Sequence, residues 1–268
     1  MSKMNEGDEF GARMKAYEAV ETGRKLDVRL PIYARIDGRA FSTFTRGMDR
    51  PFDEGMCAAM IATTKYIVDK THARIGYTQS DEISLIWLAE GETSDIFFSG
   101  KIQKMVSVLA SMAAAKFQTV CPGGYEERLP HFDCRAFQLP NRTEAANAIL
   151  WRAMDARKNA ISQTAQRYFS HKRLFGKRQS DMLRMLDEIG VDFEAIPERF
   201  KRGTFVRRVA EKRELTEDEL ARIPVAHRPA GPVERSSVVV VSMPPFNLVQ
   251  NREEVIFDGA LALTSSPP

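Results

Sequence analysis

Apolar positions along this chain change period several times, and each change marks an element. Residues 30–36 form an apolar run that ends on Asp37-Gly38, which predicts a strand closed by a turn. From Asp53 to Asp69, Met56, Met60, Ile61, Thr64, Ile67 and Val68 recur at helical spacing, so a helix with Asp53 as its cap is predicted. Two short strand-like runs follow at 73–78 and 83–88, with Gln79-Ser80-Asp81-Glu82 as the tip of a hairpin. Ile102, Met105, Val106, Leu109, Met112 and Phe117 give a second helix starting near Ser99 and running to Val120. Alanines at 113–115 permit close packing, and Pro122-Gly123-Gly124 ends it. Residues 132–139 read as a fourth strand. A helix at 10–22 lies in the polar segment that precedes all of these.

The order β-α-β-β-α-β is that of the ferredoxin-like unit, in which the first strand lies beside the third. That topology brings Asp37 and Asp81 to one edge of the sheet, although it is read without using either acid. Beyond Pro140 the pattern changes. Helices are expected at 142–170, with Thr143 as a possible cap, at 180–189, and at 215–222 with Thr216 as cap. Residues 190–205 look irregular, 227–234 are rich in Pro and Gly, 236–242 fit a strand, and 264–268 fit a disordered tail. The expected class is therefore α+β. A ferredoxin-like unit would occupy residues 1–140, and a mainly helical, basic region residues 141–268.

Composition narrows the function. The 268 residues are 43% hydrophobic and 28% charged, an ordinary globular balance. No apolar run reaches membrane-spanning length, and the polar start with Lys3, Glu6 and Asp8 lacks an apolar leader core, so a cytoplasmic protein is expected. Three cysteines without CxxC spacing fit reduced thiols, and four scattered histidines suggest neither a zinc site nor a Ser-His-Asp arrangement. Net charge is only +3, but residues 152–208 concentrate Arg and Lys, including Lys172, Arg173, Lys177 and Arg178. Such a surface suits a polyanion; a solvated helix face with salt bridges fits equally.

Two carboxylates on neighbouring strand ends can hold Mg²⁺ ions about 3.5–4 Å apart for in-line phosphoryl chemistry. Alone, Asp37-Gly38 would also suit a plain turn. The surrounding residues resemble the tRNA-His guanylyltransferase (Thg1) family and its Thg1-like relatives, which add nucleotides 3′-to-5′. The resemblance rests on Arg35-Ile36-Asp37-Gly38-Arg39-x-Phe41 and Tyr77-x-Gln79-Ser80-Asp81-Glu82-x-Ser84. It extends through Phe132-Asp133-x-Arg135, Trp151-Arg152-x-x-Asp155 and Pro197-x-x-Phe200-x-x-Gly203-Thr204, from about residue 28 to 206.

The resemblance implies a palm-like fold similar to polymerases and nucleotide cyclases. It implies two Mg²⁺ ions on Asp37 and Asp81, with the backbone carbonyl of Gly38 as a further ligand. ATP and GTP would be substrates, contacting Asp37, Gly38, Arg39, Ala40, Phe41, Ser42, Ser80 and Asp81. The partner would be tRNA, and the chain a homo-oligomer, a tetramer by resemblance. A nucleotide cyclase, or an RNA-binding protein that has lost catalysis, is the alternative. Where the family has His-Ile-Asn-Asn, tied to recognising tRNA-His, this chain has Arg157-Lys158-Asn159-Ala160, which favours a 5′-end repair role.

Other residues divide between bland and functional readings. Glu82 fits a metal ligand, a supporting residue or a solvent-facing position. Asp53 reads as a cap before a base contact. Arg135 fits phosphate or a nearby carboxylate. Trp151 reads as core before a stacking platform, and Arg152 and Asp155, three apart, fit a pair along one helix.

Overall fold

In the computed structural model, residues 6–91, 94–125 and 127–264 are described. After α1 (Glu6–Thr22), strand β1 (Ile32–Gly38) leads through α2 (Phe41–Phe44) to α3 (Glu54–Thr71). The hairpin β2 (Ile75–Gln79) and β3 (Glu82–Trp87) follows, then α4 (Ile102–Val120) and β4 (Phe132–Gln138). All neighbours pair antiparallel, in the order β4-β1-β3-β2. The chain is thus α+β with one antiparallel sheet.

Alternation along β1 divides two cores. Ile32, Ala34 and Ile36 enter one with Met60 and Ile67 of α3 and Leu109 and Phe117 of α4. Tyr33 enters the other with Tyr77 and with Ala145, Ile149 and Ala153 of α5 (Arg142–Tyr168). The sheet is therefore covered on both faces, and α5 crosses the face that also carries Arg35 and Asp37.

Several expectations are corrected here. Asp37 and Gly38 are the last residues of β1, and the turn comes at Ala40, which is left-handed (φ 55°). The second long helix begins at Ile102, because Phe98 and Ser99 are left-handed (φ 54° and 50°) and break the helical path. Asn141, not Thr143, caps α5, its side chain accepting from the Glu144 amide at 2.8 Å; Thr143 donates to Glu253 instead. Asp53 does cap α3, accepting from Met56 at 2.8 Å.

The C-terminal part holds α6 (His171–Leu174), α7 (Gln179–Asp187), α8 (Glu198–Arg202), α9 (Glu217–Ala221) and α10 (Arg252–Phe257), yet it is less helical than expected. It also supplies β5 (Thr204–Arg213) and β6 (Val233–Val241), which extend the sheet to β4-β1-β3-β2-β5-β6. β5 begins where irregular chain was expected, and most of it received no assignment from the sequence. Its partner β2 lies far away in sequence, and Arg207, Arg208, Glu211, Lys212 and Arg213 hide the strand pattern. The tail beyond residue 264 lies outside the described residues.

Candidate active site

The two turns meet at one end of the sheet. Gln79 pairs with Glu82, leaving Ser80 and Asp81 as the two-residue turn of the β2–β3 hairpin. Ser80 is left-handed (φ 50°), an uncommon conformation for a residue with a side chain, and Thr78 Oγ1 braces the turn by donating to the Glu82 carbonyl at 2.9 Å. The Gly38 amide donates to the Asp81 carbonyl at 3.0 Å. One hydrogen bond thus fastens the residue after Asp37 to the second acid's own backbone. In register across the sheet, Asp37 is flanked by Glu82 on β3 and Asp133 on β4.

Burial pushes the Asp81 carboxyl up to about 6, and the neighbouring charges of Asp37 and Glu82 push the same way. Two adjacent carboxylates are a hard, anionic oxygen site. Among the described residues no group of three or more His, Cys, Asp or Glu could hold an ion by itself. An ion here would need further oxygens, from backbone, water or phosphate, which is the usual habit of Mg²⁺.

Glu82 is taken. Arg152 of α5 closes on it with Nε at 2.7 Å from Oε1 and Nη2 at 2.6 Å from Oε2. Burial pushes the Glu82 carboxyl up while the Arg152 fork pulls it down. Arg152 also reaches Asp155 at 3.1 Å, and Asp155 accepts from Asn159 at 3.2 Å. The sequence offered Asp155 as partner of Arg152; the principal partner is Glu82.

Packing against Phe41 requires a glycine at 38. A Cβ there would overlap the ring of Phe41. That ring is buried among Phe44, Phe117 and Phe132, so any contact from Phe41 to a ligand runs through its backbone. The Gly38 amide serves Asp81, and the Arg39 amide donates to the His131 carbonyl at 2.8 Å. Ala40, Phe41 and Ser42 keep amides with no protein acceptor among the described residues. The Arg39 side chain is exposed.

Beside the turn lies a cavity of about 330 Å³, bordered by Ser42, Met48, Phe52, Ser80, Asp81 and Asn159. The size falls in the range of small-molecule sites. Phe52 stacks directly on Phe200 at its border, ring centres 4.9 Å apart. Ser42, Phe41, Ser80 and Asp81 are thus gathered at one opening, while Asp37 and Arg39 lie outside its lining. The sequence reading missed this cavity wall, since Phe52, Asn159 and Phe200 come from three separate elements.

The substituted stretch 157–160 is largely engaged. Arg157 pairs with Glu194 at 2.7 Å and lies over Phe193. Trp151, expected in the core, is 55% exposed.

Comparisons with known proteins point to one family. Residues 11–140 match the family model described as "Thg1: tRNAHis guanylyltransferase". A solved bacterial tRNA(His) guanylyltransferase (Thg1)-like protein in complex with ATP is 39% identical, with a TM-score of 0.70. The match covers 74% of this chain and 88% of that one. A second, in complex with GTP, is 33% identical with a TM-score of 0.72, covering 92% and 97%. The tRNA(His) guanylyltransferase of Saccharomyces cerevisiae is 27% identical over 209 residues, 69% of this chain and 86% of that protein.

Proposed function

This chain belongs to the tRNAHis guanylyltransferase (Thg1) family, and on that footing we propose that it is a Mg²⁺-dependent nucleotidyltransferase extending the 5′ end of tRNA in the 3′-to-5′ direction. The observation that carries the reading is the clamp from the Gly38 amide to the Asp81 carbonyl, which holds the two acid turns together. Its order β4-β1-β3-β2 supports a ferredoxin-like, palm-type unit ending near residue 140, with the basic region 141–268 packed against it.

Asp37, Asp81 and the Gly38 carbonyl would hold the ions, which supply charge neutralisation at the triphosphate and a lowered pKa for the attacking hydroxyl. The chain's own groups position the rest. The free amides of Ala40, Phe41 and Ser42 donate toward phosphate oxygens, and Ser80 adds a hydroxyl at the same opening. Arg39 offers a planar fork to phosphate. The cavity under Phe52 and Phe200 takes the purine of ATP or GTP, the ligands of the two bacterial relatives. The RNA 5′-monophosphate attacks the α-phosphorus of such a triphosphate and displaces pyrophosphate; a nucleotide's 3′-hydroxyl then attacks the capped 5′-phosphate and displaces the nucleoside monophosphate.

A cytoplasmic setting and a homo-oligomer, a tetramer by resemblance, complete the reading; among the described residues no helix is long and apolar enough to cross a membrane. Arg157 and Lys158 stand where the family has His and Ile and supply donors but no acceptor, which supports a 5′-end repair role over selective recognition of tRNA-His. The test is nucleotide addition to a 5′-truncated tRNA with ATP, GTP and Mg²⁺. Product that forms only with RNA and metal supports the reading; formation of a cyclic nucleotide without RNA overturns it.

A further inference from the structure

α5 lays Ile149 and Ala153 into the core beneath it, but Trp151 between them stands out from that core. The chain's other tryptophan, Trp87, is 1% exposed and donates its indole N–H to the Thr71 carbonyl at 3.0 Å. Trp151 has no such anchor. Instead two guanidinium groups lie against its ring, that of Arg152 at 4.7 Å and that of Arg35 at 5.7 Å from the centroid. Arg152 is fixed by its fork on Glu82. Arg35 sits two residues before Asp37 on the same face of β1 and reaches Glu82 only at 4.0 Å; its Nε is buried without a hydrogen-bond partner. In register across β4 stands exposed Arg135. Trp151 also borders an open groove of about 760 Å³, shared with Met154, Lys158 and Leu248.

We propose that Trp151 is a stacking platform for a base of the RNA strand near its 5′ end, and that Arg35 serves the adjoining phosphate; this rests on the RNA-extending activity proposed above. The indole lies against Arg152, which its fork on Glu82 locks, so little side-chain freedom is lost when a base stacks on it. Stacking tolerates any base, which suits a strand gripped without sequence reading. Arg35, Arg135 and Lys158 favour a polyanion over an apolar protein partner, which would have to cover those cations. The groove shares Arg199 and Thr204 with the cavity beside Phe52, but Trp151 does not line the proposed purine pocket.

With Trp87→Phe, Trp151 is the sole indole, and its emission reports stacking directly. Titration with a 5′-phosphorylated single-stranded RNA should quench it saturably. In the otherwise native chain, Trp151→Leu should weaken RNA binding roughly tenfold while ATP binding changes less than twofold, and Trp151→Phe should restore most of the affinity. If Trp87→Phe fails to fold, the difference in quenching between the native chain and Trp151→Phe gives the same reading. No quenching, or equal RNA affinity in Trp151→Leu, overturns the proposal. Emission that depends on protein concentration and ignores RNA also overturns it, by showing a second copy on the ring. Quenching without any metal-dependent nucleotide addition would leave the platform standing and remove the activity.

Discussion

Arg152 grips both carboxylate oxygens of Glu82, at 2.7 and 2.6 Å, and so ties the long helix α5 to the strand residue that follows Asp81. Both side chains are buried. Removing one partner would strand a charge, which typically costs about 3–5 kcal/mol. Arg152→Ala should lower stability by an amount of that order in chemical denaturation. Arg152→Lys should recover part of the stability but not the geometry, since one ammonium cannot span two oxygens. Turnover of Arg152→Lys should therefore fall more than tenfold; parent-like turnover would show that Glu82 needs only a positive charge nearby.

Asp37→Ala or Asp81→Ala should abolish nucleotide transfer and leave the fold intact, because each removes a charged ligand from the proposed metal site. Turnover at saturating Mg²⁺ is the measurement, with a denaturation curve as control. Activity within about tenfold of the parent, about 1.4 kcal/mol of barrier, would refute the assignment.

The Asp81 carboxyl, pushed up to about 6, sets a pH dependence for the metal-free protein. A carboxyl whose folded pKa exceeds its unfolded one near 3.8 favours the folded state when protonated. That contribution is complete below the unfolded value and is lost as pH rises through about 6. At pH 7.5 the ionised group costs at most about 3 kcal/mol. Asp81→Asn should then raise the melting temperature at pH 7.5 more than at pH 5. Mg²⁺ should raise that of the parent at pH 7.5 and have little effect on the variant. Equal responses at both pH values would mean that Asp81 does not carry the strain.

Lys172, Arg173, Lys177 and Arg178 are exposed and form no ion pair among the described residues; Arg173 lies over Phe169 at 4.7 Å. Neutralising all four should weaken RNA binding more than triphosphate binding. The plot of log affinity against log salt should become shallower by roughly 0.7–0.9 for each phosphate that the protein no longer neutralises. An unchanged slope would make this cluster a solvated surface.

Discrimination of tRNA-His should be weak. The position held by His in the family is Arg157, committed to Glu194, and Asn159 is committed to Asp155. Arg157 supplies donors and charge but no acceptor, and charge alone grips any backbone. Addition to 5′-truncated tRNA-His and to two other truncated tRNAs should agree within about tenfold. A preference for tRNA-His above about a hundredfold, roughly 2.7 kcal/mol, would reveal recognition elsewhere.

The meeting of Asp37 and Asp81 was legible because it depends on short-range signals: a hairpin, a crossover helix and an Asp-Gly strand end. The partner of Arg152 was not, since spacing along a helix shows Asp155 but cannot show a strand passing underneath. Trp151 was misjudged for a related reason. A tryptophan between buried Ile149 and Ala153 looks like core until the helix is placed on its sheet. The glycine at 38 was visible, but its cause is the packing of the Phe41 ring. β5 escaped because a strand rich in charge is recognised by its partner more than by its own pattern.

That strand has a bearing on how the molecule is made. β2, which carries the chain into the Ser80-Asp81 turn, is paired on its outer side with Phe205 and Val206, and the Tyr77 hydroxyl donates to the Arg202 carbonyl at 2.8 Å. During synthesis these partners leave the ribosome long after β2 does. Until then one edge of the catalytic sheet is bare, with Tyr77 lacking its acceptor, and open to pairing with a neighbouring chain. Closing so long a loop is slow. The active-site hairpin therefore completes its surroundings late, and a nascent chain stopped after β4 would hold both acids on a sheet whose edge still invites aggregation.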